Sequence, residues 1–226
     1  MPNFKLAAVN FAFKAFTNIT CRVDARTLDR IPDKGPFIII ANHVNFLDLL
    51  IMYPRVYPRV VTGFAKVETW DNPIMAYLFN ILEAIPIRRE EVDVTALRKA
   101  LDILDQGKIV AVAPEGTRSR DGRLQQGKPG VVMLALKSGA PLLPIVYYGG
   151  EKFRENIQKF RRTSVHIDVG IPFRLDSHGE RVTRDVREEM LDELMYQLAG
   201  LLPEEYRGEY QNPEKGLNKY LSFMQS

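Results

Sequence analysis

The stretch FIIIANHVNFLDLL, residues 37–50, runs from five consecutive apolar residues into a histidine and an aspartate, in a chain that holds only three histidines. With Pro36 before it and Asn42 after it, the apolar run reads as a short buried strand. Comparable runs recur at RVVTGFA (59–65), KIVAVAP (108–114), PLLPIVYY (141–148) and SVHIDVGI (164–171). Helical patterns lie between them. Leu97, Leu101 and Leu104 repeat at helical spacing and stop at Gly107, and Val131 to Lys137 runs into Gly139 and Pro141. A longer amphipathic helix is expected from Thr183, carrying Val186, Met190, Leu194, Leu198 and Leu201 inward. This alternation predicts one α/β domain whose sheet is mainly parallel or mixed, with flanking helices.

At 226 residues and 46% hydrophobic, the chain can bury a full core as a single domain, and no repeat or linker marks a second one. The single cysteine, Cys21, excludes an internal disulfide framework and a multi-cysteine metal site, which fits a reducing compartment. A net charge of +3, without basic tracts interleaved with aromatics, excludes nucleic acid as the expected partner.

Residues 1–22 stand apart from the domain expected over 23–226. On a helical wheel Asn3, Asn10, Lys14, Thr17 and Asn18 fall on one narrow stripe, and Phe4, Leu6, Val9, Phe11, Phe13, Phe16 and Ile19 fill the rest. Such a helix suits a bilayer interface, with Lys5 snorkelling at one end; packing against its own domain is the equal alternative. A secretory signal fits badly, because Asn10 and Lys14 interrupt the apolar stretch. No run reaches the ~18 apolar residues of a spanning helix.

Ligands gather at the carboxyl ends of strands in sheets of this kind, and His43 follows such an end. Five residues of separation would put His43 and Asp48 about 140° apart on one helix, so the geometry must be loop, then helix. With Asn45 as N-cap, Asp48 becomes N3, from which its carboxylate can turn back to orient His43 as a general base. A capping acid and a hydrogen-bonded strand-end histidine are the plain alternatives.

A second buried strand ends in PEGTRSRDG, residues 114–122, where Glu115, Gly116, Thr117 and Arg118 follow the strand. Glycine permits close approach, an ionised Glu115 accepts from a substrate hydroxyl, and the Arg118 guanidinium matches a phosphate. A solvated basic loop with local ion pairs explains the same letters. Lys66 closes another strand, and Arg88 and Arg89 follow AIPI (84–87). The match of Gly122–Lys128 to GxxxxGK is a decoy, since Pro129 stands where a phosphate loop needs Ser or Thr and no strand leads directly into it. There is no HExxH, CxxC or GxSxG, so metal and covalent serine chemistry are disfavoured.

Taken in order, NHVNFLD, AIPIRR, PEGTRSR and GAPLLPI resemble the four blocks of the glycerolipid acyltransferase family, over about Phe37 to Tyr148. The resemblance implies transfer of a fatty acyl group from acyl-coenzyme A or acyl carrier protein to the free hydroxyl of a lysophospholipid. Lysophosphatidic acid is the implied acceptor and phosphatidic acid the product; other lysophospholipids and glycerol 3-phosphate are alternatives. It implies His43 as base, Asp48 as its orienting carboxylate, and Glu115, Gly116, Thr117 and Arg118 as the acceptor block. Lys66 and Arg88 or Arg89 would hold the acceptor phosphate. It further implies work at the cytoplasmic face of a membrane, with no bound cofactor. A thioesterase or a non-catalytic membrane-surface module remain rivals; the cations speak against the first and the His–Asp pair against the second.

Overall fold

The computed structural model describes residues 4–88, 93–119, 121–212, 216 and 218–224. Among these, helix α1 (Phe4–Thr20) leads directly into β1 (Cys21–Asp24). The central run is β2 (Phe37–Ala41), α2 (Leu47–Val56), β3 (Val61–Lys66), α3 (Pro73–Ile81), β4 (Ile85–Ile87), α4 (Val94–Asp105) and β5 (Ile109–Val112). There follow α5 (Gly130–Ser138), β6 (Leu142–Tyr148), α6 (Phe153–Gln158), β7 (Thr163–Val169), β8 (Phe173–Leu175), α7 (Arg184–Leu201) and β9 (Leu221–Phe223).

The strands form one sheet in the order β1-β7-β6-β2-β5-β3-β4, with β8 paired to β6 and β9 to β8. The run from β6 through β2, β5 and β3 to β4 is parallel, as the alternation predicted. The sheet as a whole is mixed, because β7 pairs antiparallel with β6. The reason lies in the connection: α6 has six residues, about 9 Å of helix, too short to carry the chain back along a seven-residue strand of about 23 Å.

Strand β2 shows why its sequence is apolar throughout. Phe37, Ile39 and Ala41 join the core on the α2 face, while Ile38 and Ile40 join the core under α4, α5 and α7. All five are buried, and each large side chain contributes about 1.5–3 kcal/mol by leaving water. Helix ends follow their sequence signals. Thr183 caps α7 by accepting from Val186 N–H, and α5 stops at Gly139, in the left-handed region at φ +61°.

Helix α1 packs on α2 and α3, where Leu6, Tyr53 and Leu82 form a third small core with Val9 and Phe13. The face turned inward takes two residues of the polar stripe, Asn10 and Thr17, which donate back to the carbonyls of Leu6 and Phe13, while Lys14 and Asn18 are exposed. Phe4, Phe11 and Ile19 point outward at 85%, 76% and 73% exposure. No helix among the described residues is long and apolar enough to cross a membrane.

Candidate active site

Parallel pairing sets four strand ends along one edge. Ile40 of β2 lies opposite Val112 of β5, Gly63 of β3 opposite Ala111 of β5, and Lys66 of β3 opposite Ile87 of β4. His43, the 115–118 turn, Lys66 and Arg88 are therefore neighbours along that edge by construction.

His43 is seated by its own flanks. Buried Asn42 continues the ladder through its side chain, donating to Tyr147 O and accepting from Tyr147 N–H, each at 2.8 Å. His43 N–H donates to Glu115 Oε1 at 2.8 Å, and His43 O accepts from Ser119 N–H at 2.7 Å. Backbone placement of the histidine thus depends on the 115–119 loop. Its ring Nδ1 lies 2.8 Å from Asp48 Oδ2. That oxygen also accepts from Val44 N–H at 2.8 Å and Asn45 N–H at 3.1 Å. A carboxylate oxygen that already accepts from two backbone N–H groups favours the tautomer with its proton on Nδ1, which leaves Nε2 as the acceptor nitrogen.

The helix register differs by one residue from the sequence expectation. Helix α2 begins at Leu47 with Phe46 at its N-cap, so Asp48 is N2 rather than N3. Asn45 instead closes an Asx turn, accepting from Leu47 N–H at 2.8 Å while its amide donates to Gly150 O at 2.8 Å. Asp48 is both things the sequence allowed: it satisfies loop amides like a cap, and it holds the imidazole.

Glu115 lies behind the histidine rather than before it. It is 1% exposed, with Oε1 taken by His43 N–H and Oε2 by Gln125 N–H at 3.0 Å. Burial pushes its carboxyl up to about 7, against the downward pull of those same N–H bonds. Gly116 is at φ +68°, a conformation glycine takes freely. Thr117 and Arg118 are exposed, and Arg118 Nε donates to His43 Nε2 at 3.4 Å. Lys66 and Arg88 are exposed at the same edge, two and three strands along from His43; Arg89 lies outside the described residues. Sequence reasoning did not single out Asn42 or Gln125. Asn42 had a readable signal, a polar residue closing a buried strand; Gln125 had none.

The fold and site define a class: an α/β protein whose sheet presents an aspartate-oriented histidine at its carboxyl edge, with an arginine against the other ring nitrogen. The sequence model described as "Acyltransferase" matches residues 22–148. The chain belongs to this family, the glycerolipid acyltransferases. It is 29% identical over 136 residues to the chloroplastic 1-acyl-sn-glycerol-3-phosphate acyltransferase BAT2 of Brassica napus, covering 58% of this chain and 38% of that one. With the 1-acyl-sn-glycerol-3-phosphate acyltransferase of Bacillus subtilis it shares 26% identity over 162 residues, 71% of this chain and 78% of the relative. The crystal structure of the LPA acyltransferase PlsC from Thermotoga maritima superposes with a TM-score of 0.66 at 28% identity, covering 87% of this chain and 78% of that chain.

Proposed function

We propose that the protein transfers a fatty acyl group from an acyl thioester, on coenzyme A or acyl carrier protein, to the free hydroxyl of 1-acylglycerol 3-phosphate. The observation that carries this reading is the triple contact Asp48–His43–Arg118 at the strand edge. In this acceptor the free hydroxyl and the phosphate sit on neighbouring carbons. The Arg118 guanidinium, 3.4 Å from Nε2, is therefore placed to exchange that bond for one to the phosphate, which frees the Nε2 lone pair for the hydroxyl.

His43 Nε2 takes the hydroxyl proton as the oxygen attacks the thioester carbonyl. The carbon–sulfur bond breaks, and the departing thiolate recovers the proton from His43. Asp48 stabilises the imidazolium between these steps. A thiolate is a good leaving group, so direct transfer needs no enzyme nucleophile. Cys21 supports this economy: it is 1% exposed on β1, and burial raises its thiol pKa. Glu115 acts through the backbone, pinning His43 to the 115–119 loop. Lys66, Arg88 and Arg118 supply the charge that a phosphate monoester calls for.

The same reading assigns a lipid surface to α1, with the enzyme peripheral on the cytoplasmic face where acyl thioesters are found. Phe4, Phe11 and Ile19 are outward, Lys5 lies over the ring of Tyr77 on α3, and Ile74 of α3 is 72% exposed. An aromatic path runs inward from this surface: Phe16 meets Phe153 at 6.2 Å between centroids, and Phe153 meets Phe46 at 5.5 Å, beside the catalytic loop.

The test is to incubate the purified protein with a labelled acyl thioester of each carrier type, with and without lysophosphatidate, then with glycerol 3-phosphate and lysophosphatidylcholine. Labelled phosphatidate formed only with lysophosphatidate is expected. Free fatty acid at the same rate in all mixtures would make the protein a thioesterase and end the proposal.

A further inference from the structure

The GxxxxGK decoy delivers its lysine to the site by another route. The loop 125–128 is stitched against the 114–116 turn: Gln125 N–H donates to Glu115 Oε2, and Lys128 N–H donates to Pro114 O at 2.8 Å. From the other side Gly127 N–H donates to the Tyr210 hydroxyl at 3.2 Å. So held, the Lys128 side chain lies across Gly116. A Cβ on Gly116 would stand 3.0 Å from Lys128 Cδ and 3.3 Å from Nζ. The lysine stem thus packs directly over the glycine, where an added Cβ would make it give by a few tenths of an ångström. Lys128 is exposed, and among the described residues its ammonium has no ion-pair or hydrogen-bond partner. Gly116 is two residues from Arg118, so their Cα atoms are at most about 7 Å apart. The ammonium beside Gly116 and the guanidinium against His43 Nε2 thus belong to the same short turn.

We infer that Lys128, whose stem lies over Gly116, is a second cation of the acceptor subsite, binding the phosphate monoester together with Arg118. This rests on the acyltransferase reading above. Lys128 acts on binding and not on the proton transfer, so its signature is a split between kinetic constants. A point-charge ammonium is well suited to one face of a phosphate whose other face meets the arginine fork.

The experiment compares wild type, Lys128→Met and Lys128→Arg by steady-state transfer, varying lysophosphatidate and acyl thioester separately, with inorganic phosphate as competitor against lysophosphatidate. Lys128→Met should raise the KM for lysophosphatidate and the Ki of phosphate together, about ten- to a hundredfold, with kcat and the thioester KM within twofold. Lys128→Arg should recover most of the loss. Melting of both variants within a few degrees of wild type shows the loop intact. An unchanged lysophosphatidate KM, or a raised thioester KM instead, overturns the assignment while leaving the acyltransferase reading standing. A wild type that transfers nothing to lysophosphatidate overturns both.

Discussion

Replacing Asp48 by asparagine separates the two jobs that its Oδ2 performs. The oxygen accepts three bonds, from His43 Nδ1, Val44 N and Asn45 N. Bonds to a charged acceptor contribute about 1.5–3 kcal/mol and neutral ones about 0.5–1.5, so each contact weakens by about 1 kcal/mol. The fold then loses about 2–3 kcal/mol, a fall in Tm of about 4–12 °C for a chain of this size. The rate suffers far more. At about 4 Å between charge centres and an effective dielectric of about 20, the carboxylate stabilises the imidazolium by about 4 kcal/mol, a factor of about a thousand in rate. The side chains are 22% and 12% exposed, so solvent screens this attraction only in part. An asparagine amide can also donate to Nδ1, which moves the ring proton to Nε2 and removes the base. Acyl transfer by Asp48→Asn is therefore expected to fall by about 10³–10⁴ in kcat, measured with saturating labelled thioester and lysophosphatidate at a temperature well below the variant's Tm. A folded variant within tenfold of wild type would refute the role of the pair.

Lys66→Ala and Arg118→Ala should each weaken use of lysophosphatidate by about 1.5–3 kcal/mol in kcat/KM while the dependence on thioester concentration stays put; the reverse pattern would mean the cations serve the donor. Phe4→Asp with Phe11→Asp should leave stability unchanged, since both are exposed, and lower vesicle cosedimentation about a hundredfold or more; equal cosedimentation would free α1 of the anchoring role. Point changes are preferable to deleting the helix, which would uncover Tyr53 and Leu82. Glu115 makes stability depend on pH. Its carboxyl is raised to about 7 in the fold from 4.5, so its contribution is full below about pH 4.5 and is lost as pH rises through about 7. Wild type should thus lose roughly 3 kcal/mol more than Glu115→Gln between about pH 5 and about pH 8 in chemical denaturation, and parallel curves would contradict the buried-acid account.

The parallel centre of the fold was legible because β2 is buried on both faces, which writes its signal as an unbroken apolar run, and because strand-end placement of His43 follows from the sheet alone. Strands β1, β4, β8 and β9 were not anticipated: each has three or four residues, too few to show a period. The wheel of α1 did not sort inside from outside: Asn10 and Thr17 of the polar stripe turn inward because they can donate to carbonyls of their own helix, while Phe4, Phe11 and Ile19 of the apolar face turn outward. Glu115 read as a group reaching for substrate because sequence cannot show two amides, His43 N–H and Gln125 N–H, converging on it from behind. Lys128 was set aside for failing a nucleotide motif. Its place over Gly116 depends on contacts from Tyr210, 82 residues beyond it, and spacing carries no trace of that.

The central claim is that His43 Nε2 removes the acceptor proton directly. The most direct measurement is single-turnover transfer from labelled acyl thioester to lysophosphatidate by wild type and His43→Ala, with thermal melting of both. Loss of a partly exposed strand-end ring opens no core cavity, so the variant should melt within a few degrees of wild type and transfer label at less than about a thousandth of its rate. A folded His43→Ala protein that forms labelled phosphatidate at the wild-type rate would contradict the account.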